Sequence, residues 1–149
     1  MGISKIRDDL YISDIHYVQE HDVESKFDHI ITCCRNEPAR PEDCDMDWSQ
    51  FGLYDRSAEQ QETFDLAVRA TIDAIEDDGA SVLVHCIAGH SRSPAVLATA
   101  LASIEGIRFD EARDIIYEQR PGIAVHPSLR EHGLDYLGDD PAETWGDMG

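Results

Sequence analysis

An α/β fold, with a mostly parallel central sheet flanked by helices and an anion-binding loop between a central strand and a helix, is predicted by three features of the sequence. The run Ser81-Val-Leu-Val-His85 is short and apolar, the pattern of a strand covered on both faces in the middle of a parallel sheet. Short β-type segments occupy the first third of the chain, at residues 3–6, 10–12 and 27–34. Helical spacing dominates the remaining two thirds, most plainly in Phe64, Ala67, Val68, Thr71, Ile72 and Ile75. At 149 residues the chain is sized for one domain around one core. Residues 1–138 are expected to form it, leaving 139–149 as an acidic tail punctuated by Gly and Pro.

Each element has its own warrant. Residues 3–6 and 10–12 flank the polar Arg7-Asp8-Asp9, which predicts an edge hairpin. Residues 15–23 predict a short helix with Asp14 as its N-cap. The strand at 27–34 is centred on Ile30 and Ile31, and residues 36–47, with two prolines and five acids, read as a loop. Residues 48–54 are apolar enough to run inward again. Ser57-Ala-Glu-Gln60 matches a capping box, so a long helix is expected from near Ser57 to the stop at Asp77-Asp78-Gly79. After the strand at 81–85 come a tight loop, a helix to about Ile104, a helix at 110–118, and a last one at 128–137. That last helix carries its own box at Ser128 and Glu131.

Composition excludes several functions. There are 31 acidic residues against 12 basic ones, a formal charge of −19, which is the wrong sign for neutralising nucleic-acid phosphates. Only Lys5 and Lys26 are lysines, and the other basic residues are arginines. Low Lys with abundant Asp suits a halophile-like protein: at about 1 M salt the Debye length is only about 3 Å, so surface carboxylates are screened from one another. An acidic protein of an ordinary cytoplasm could share this composition. Cys33, Cys34, Cys44 and Cys86 form no CxxC pair and no zinc half-site. Charges at Lys5, Arg7, Asp8 and Asp9 interrupt any leader-like run, and no apolar stretch is long enough to span a bilayer. The expectation is a reduced, cytoplasmic monomer with no nucleic-acid or membrane partner.

Chemistry concentrates at Cys86. A loop running from a strand end into a helix aims backbone N–H groups and the positive end of the helix dipole into one volume. Gly89 lets the backbone curl closely, and Arg92 offers a planar fork for two phosphate oxygens. A thiol in that field ionises readily, since cysteines at helix N-termini fall to roughly 3.5–7.5. Nucleophile and oxyanion cradle thus share one loop, which favours attack on phosphorus.

His85-Cys86-Ile87-Ala88-Gly89-His90-Ser91-Arg92-Ser93 resembles the HCx5R(S/T) signature of the cysteine-dependent protein tyrosine phosphatases, and the Ser-Arg-Ser ending with the short chain resembles the dual-specificity subfamily. The resemblance runs over roughly residues 3–137. It implies one catalytic domain, a phosphorylated protein as substrate, no cofactor and no metal. It assigns Cys86 as nucleophile, Arg92 with Ile87, Ala88, Gly89, His90 and Ser91 as the phosphate cradle, His85 as a supporting residue, and Ser93 as the hydroxyl that helps release the thiolate. Asp55, 31 residues upstream of Cys86, resembles the family's general acid and later base; Asp45 and Asp47 are its rivals. Ile87 and His90 stand where lipid-directed relatives carry basic residues, which argues against a highly charged inositide. Arg120-Pro-Gly-Ile-Ala-Val-His-Pro127-Ser128 resembles the family's Arg…Pro-Asn segment, with Ser128 in place of Asn.

Other functions compete with this one. A phosphate-binding module without activity finds no support, because Cys86, Arg92, Asp55 and Ser93 are all present. An arsenate-type reductase would need a resolving thiol, and an RNA 5′-triphosphatase a basic track. Cys33 and Cys34 lie at the end of a strand expected beside that of Cys86. Successive strand residues face opposite sides, so a regular strand turns at most one of them towards the loop. The resemblance favours Cys34 as a redox partner of Cys86, with Cys33 as a core residue.

Overall fold

The computed structural model describes residues 2–35, 47–54, 57 and 59–138. Among these, five strands form a single sheet: β1 (Ile3–Arg7), β2 (Leu10–Ser13), β3 (His29–Thr32), β4 (Asp47–Gln50) and β5 (Val82–His85), in the order β1-β2-β5-β3-β4. The first two make the expected antiparallel hairpin, and every other pairing among them is parallel. All four residues of β5 are buried, as an apolar strand with a neighbour on each edge and helices on its faces requires.

The helices are α1 (Ile15–Glu20), α2 (Gln61–Ile75), α3 (Arg92–Glu105), α4 (Phe109–Gln119) and α5 (Pro127–Leu137), with a 3₁₀ turn at Val23–Ser25. Two apolar clusters divide the interior. The larger joins Ile31, Cys33, Val82, Val84 and Cys86 of the sheet side to α2, α3, α4 and α5. The smaller packs Ile30 and Leu83 against Val18, Val23 and Phe27. Alternation along β3 and β5 thus sends odd positions of β3 and even positions of β5 to one face. Helix α3 is the hub: its residues from Ser93 to Ala102 are all buried, and small side chains let α2, α4 and α5 close around it.

Boundaries depart from expectation where side chains were engaged elsewhere. Helix α2 begins at Gln61, not near Ser57. The Gln60 amide clamps the Tyr54 backbone instead of capping: Tyr54 N–H donates to Oε1 and Nε2 donates to the Tyr54 carbonyl, both at 2.7 Å. Ser57 Oγ accepts from the Glu59 N–H at 3.2 Å, a local turn that competes with helix. Helix α5 is capped by His126, whose Nδ1 accepts from the Ser128 N–H at 3.1 Å, so Ser128 lies inside the helix and the Ser-x-x-Glu box is not used. At α1 the expected cap is present, Asp14 accepting from the Tyr17 N–H at 2.8 Å, but the helix ends at Glu20. The acidic loop before Asp47 and the tail after Gly138 lie outside the described residues. No helix among the described residues is long and apolar enough to cross a membrane.

Candidate active site

The loop between β5 and α3 is shaped from outside. The Cys86 carbonyl accepts from His85 Nδ1 at 3.2 Å, the Ile87 carbonyl from the Ile15 N–H at 2.8 Å, and the His90 carbonyl from the Ala124 N–H at 2.7 Å. Between them, Arg120 donates to the Ala88 carbonyl through Nη2 at 3.2 Å and to the Gly89 carbonyl through Nε at 3.0 Å. Five consecutive carbonyls are therefore held away from the loop's hollow. In a planar trans peptide the N–H points opposite to the C=O, and no peptide among the described residues is cis. The N–H groups of residues 87–91 are thereby turned into the hollow, a nest for an anion at the start of α3.

Gly89 is required twice over. Its φ is +71°, and a Cβ there would sit 2.7 Å from the Ser13 carbonyl oxygen and 2.8 Å from Arg120 Nη2. Cys86 Sγ lies 3.3 Å from Ser93 Oγ, and both residues are buried at the foot of the loop. Arg92, on the first residue of α3, donates to the Leu53 carbonyl at 3.2 Å. Arg35 also reaches this segment, donating to the Tyr54 hydroxyl with its guanidinium over the ring.

His85 is fully buried in a directional chain. The Trp48 indole N–H donates to Thr32 Oγ1 at 3.0 Å, which leaves the Thr32 hydroxyl to donate to His85 Nε2 at 2.7 Å. A carbonyl only accepts, so Nδ1 carries the proton given to the Cys86 carbonyl. Burial pushes this imidazole down to about 4, against the smaller opposing effects of that backbone hydrogen bond and of Asp14. The site histidine is thus neutral and structural in its contacts.

Asp55, its neighbour Arg56 and the rival Asp45 lie outside the described residues; Asp47 opens β4 and is exposed, 3.5 Å from His29. The residues flanking Asp55 are firmly held. Leu53 is tied to Arg92, Tyr54 to Gln60, and the Ser57 carbonyl to His132 Nε2 at 2.9 Å. Of the two vicinal cysteines, Cys33 continues the parallel ladder, its N–H donating to the His85 carbonyl at 2.8 Å, one step past the Thr32–His85 pair. That register sets Cys33 opposite Cys86. Burial raises the Cys33 thiol well above its ordinary value, and a charge on Cys86 raises it further. Cys34 is also fully buried, and its carbonyl accepts from Gln50 Nε2 at 3.0 Å.

A strand end, a buried thiol, a loop with five tied carbonyls and an arginine on the next helix thus come together at one place. Residues 10–135 match the family model described as dual specificity phosphatase, catalytic domain. The chain is 30% identical over 145 residues to dual specificity protein phosphatase 22-A of Danio rerio, spanning 93% of this chain and 68% of that one. It is 39% identical over 66 residues to the protein-tyrosine-phosphatase IBR5 of Arabidopsis thaliana, covering 44% of this chain and 25% of that protein's length. Among solved structures it resembles human DUSP28 (TM-score 0.77, 17% identity, 91% of this chain and 93% of that one). It also resembles the human tyrosine phosphatase-like serine/threonine/tyrosine-interacting protein (TM-score 0.78, 18% identity, 92% and 96%), and at these identities the likeness concerns the fold. The chain belongs to the dual-specificity phosphatase catalytic domain family.

Arg120, Thr32, Gln60 and His132 were not singled out for the site from sequence. Arg120 alone carried a signal, the Arg120-Pro121-Gly122 start of the segment resembling Arg…Pro-Asn.

Proposed function

We propose that the chain hydrolyses phosphate monoesters in proteins, phosphotyrosine and also phosphoserine and phosphothreonine, through a cysteinyl-phosphate intermediate. The Cys86 thiolate attacks phosphorus, the bond to the ester oxygen breaks, and Asp55 gives that oxygen its proton. Asp55 then takes a proton from water, whose oxygen attacks phosphorus and expels the thiolate. Ser93 donates a hydrogen bond to that departing sulfur, while the loop N–H groups and Arg92 carry the charge of the phosphoryl oxygens. The observation behind this reading is the run of outward-tied carbonyls around a thiol 3.3 Å from a hydroxyl. Asp55 is taken as the general acid from its place in the sequence, 31 residues before Cys86.

The test sets a phosphotyrosine peptide, a phosphothreonine peptide and a 5′-triphosphate RNA side by side, with and without EDTA. Hydrolysis of the peptides is expected, unaffected by EDTA and blocked by vanadate. Cys86→Ser should lose turnover and keep oxyanion binding. Asp55→Asn should slow peptide hydrolysis by roughly 10²–10⁴ while sparing an ester with a very acidic leaving group. If Asp45→Asn or Asp47→Asn gives that defect instead, Asp55 is misassigned. Release of phosphate from RNA alone would replace the protein-phosphatase reading.

For the redox role, peroxide oxidises the Cys86 thiolate to a sulfenic acid, and a neighbouring thiol condenses with it to a disulfide and water. Cys34 is the partner proposed from the family resemblance, and the ladder register favours Cys33 as a second reading. Peptide mapping after peroxide, with dithiothreitol recovery in Cys34→Ser and Cys33→Ser, separates them. Equal, irreversible loss in all three proteins would mean that no switch exists.

A further inference from the structure

Arg120 is the largest of the fully buried side chains, 1% exposed, and its hydrogen bonds among the described residues all go to neutral acceptors. Besides the Ala88 and Gly89 carbonyls these are the Gly2 carbonyl at 3.3 Å and Ser4 Oγ at 2.9 Å. Among the described residues no carboxylate is within salt-bridge distance of it; Asp14 acts on it only through space. Burying a guanidinium without an ion-pair partner is costly. A methionine or leucine would fill the same volume without that cost. Arginine stays charged throughout the working range, so the charge is permanent.

Its placement gives the charge a use. Two of the five loop carbonyls, those of Ala88 and Gly89, are held by Arg120, and among the described residues no backbone group shares them. The peptide units they belong to also carry the N–H groups of Gly89 and His90. One side chain therefore sets the rotation of two peptide planes at the middle of the nest, at the residue whose φ is +71°. Backbone N–H groups at Ile15 and Ala124 fix the planes on either side.

We propose that Arg120 is a positioning residue for phosphate: it draws the Ala88 and Gly89 carbonyls outward, turns the Gly89 and His90 N–H groups onto the phosphoryl oxygens, and places a second positive charge behind the loop. Arg92 grips the anion from the front; Arg120 never touches it. This rests on the reading of the loop as a phosphate site, and the experiment keeps the two apart.

The full chain is compared as wild type, Arg120→Lys, Arg120→Met and Phe27→Leu, the last destabilising the apolar cluster on the opposite face of the sheet. Tungstate affinity is read by calorimetry, and kcat and KM with para-nitrophenyl phosphate, whose acidic leaving group removes the need for Asp55. Arg120→Met should raise the tungstate Kd and KM together by about ten- to hundredfold, the scale of one hydrogen bond to a charged group. Arg120→Lys should recover part of that loss. Phe27→Leu should lower the melting temperature and leave Kd and KM at wild-type values. Wild-type Kd in Arg120→Met, or the same loss in Phe27→Leu, overturns the proposal and leaves the phosphatase reading standing. A wild-type protein that neither binds tungstate nor cleaves the ester overturns the reading of the site, and this inference with it. Should Arg120→Met not fold, Arg120→Lys decides: a Kd several-fold above wild type is expected, and an unchanged one overturns.

Discussion

Between pH about 6.5 and about 4, an unfolded chain binds a proton at residue 85 that the folded chain refuses, because burial holds His85 down to about 4. The contribution of His85 to stability is therefore fully present above about 6.5 and is lost as pH falls towards about 4, an amount of about 3 kcal/mol over the window. Urea midpoints measured at intervals from pH 7 to pH 4.5 should fall along this slope, and His85→Asn should flatten it. Thr32→Val removes the donor facing Nε2 and should cost about 1–3 kcal/mol, the usual penalty for an orphaned buried acceptor. At Gly89 an alanine meets both the positive φ and the Ser13 and Arg120 contacts. Its stability loss should be about 1–3 kcal/mol, with tungstate binding lost more completely. The candidate loop was legible in sequence because it is local: Cys86, Gly89, Arg92 and Ser93 fall within one loop and the first turn of α3. The contacts of Arg120 and Thr32 were not, since their partners stand 31 and 53 residues away and no spacing rule links them; for Arg120 only its segment's resemblance to Arg…Pro-Asn marked the place.

Helices and strands came through better than their ends did. Turn signals located β1 and β2, apolar runs β3 and β5, helical spacing α2, and the stretches after the Cys86 loop α3 to α5. The Ser57 and Ser128 capping boxes misplaced two starts, because a cap is one hydrogen bond and other claimants were near. Gln60 took the Tyr54 backbone and His126 took the Ser128 N–H. Between α4 and α5 the Asp110 carboxylate receives two hydrogen bonds from Arg130, at 3.0 and 2.8 Å, which hold its pKa below the ordinary value. Asp110→Asn should therefore cost about 1 kcal/mol at neutral pH after solvent screening. The difference from wild type should vanish as pH falls through the depressed carboxylate range, where wild type loses the same interaction. Thermal melts at pH 7 and pH 3 check both halves of that statement.

Over the whole molecule a net charge of −19 works against compactness at low ionic strength. The melting temperature of a monomeric sample should rise between low and molar KCl as the Debye length contracts towards about 3 Å. A flat profile would speak against a high-salt origin and for acidity of the ordinary kind. The sheet order β1-β2-β5-β3-β4 has a consequence for how the chain is made. As synthesis proceeds from the N-terminus, β2 and β3 emerge early, yet neither is the other's neighbour, and both wait with an open edge for β5. A nascent chain that has not yet delivered residue 82 therefore offers two unpaired apolar edges to chaperones or to its own copies. The strand that closes them is the one that leads directly into Cys86. Closing the sheet and setting Cys86 at its strand end are thus one step of synthesis, and the ties of the loop to Arg120 and Ala124 can form only after it.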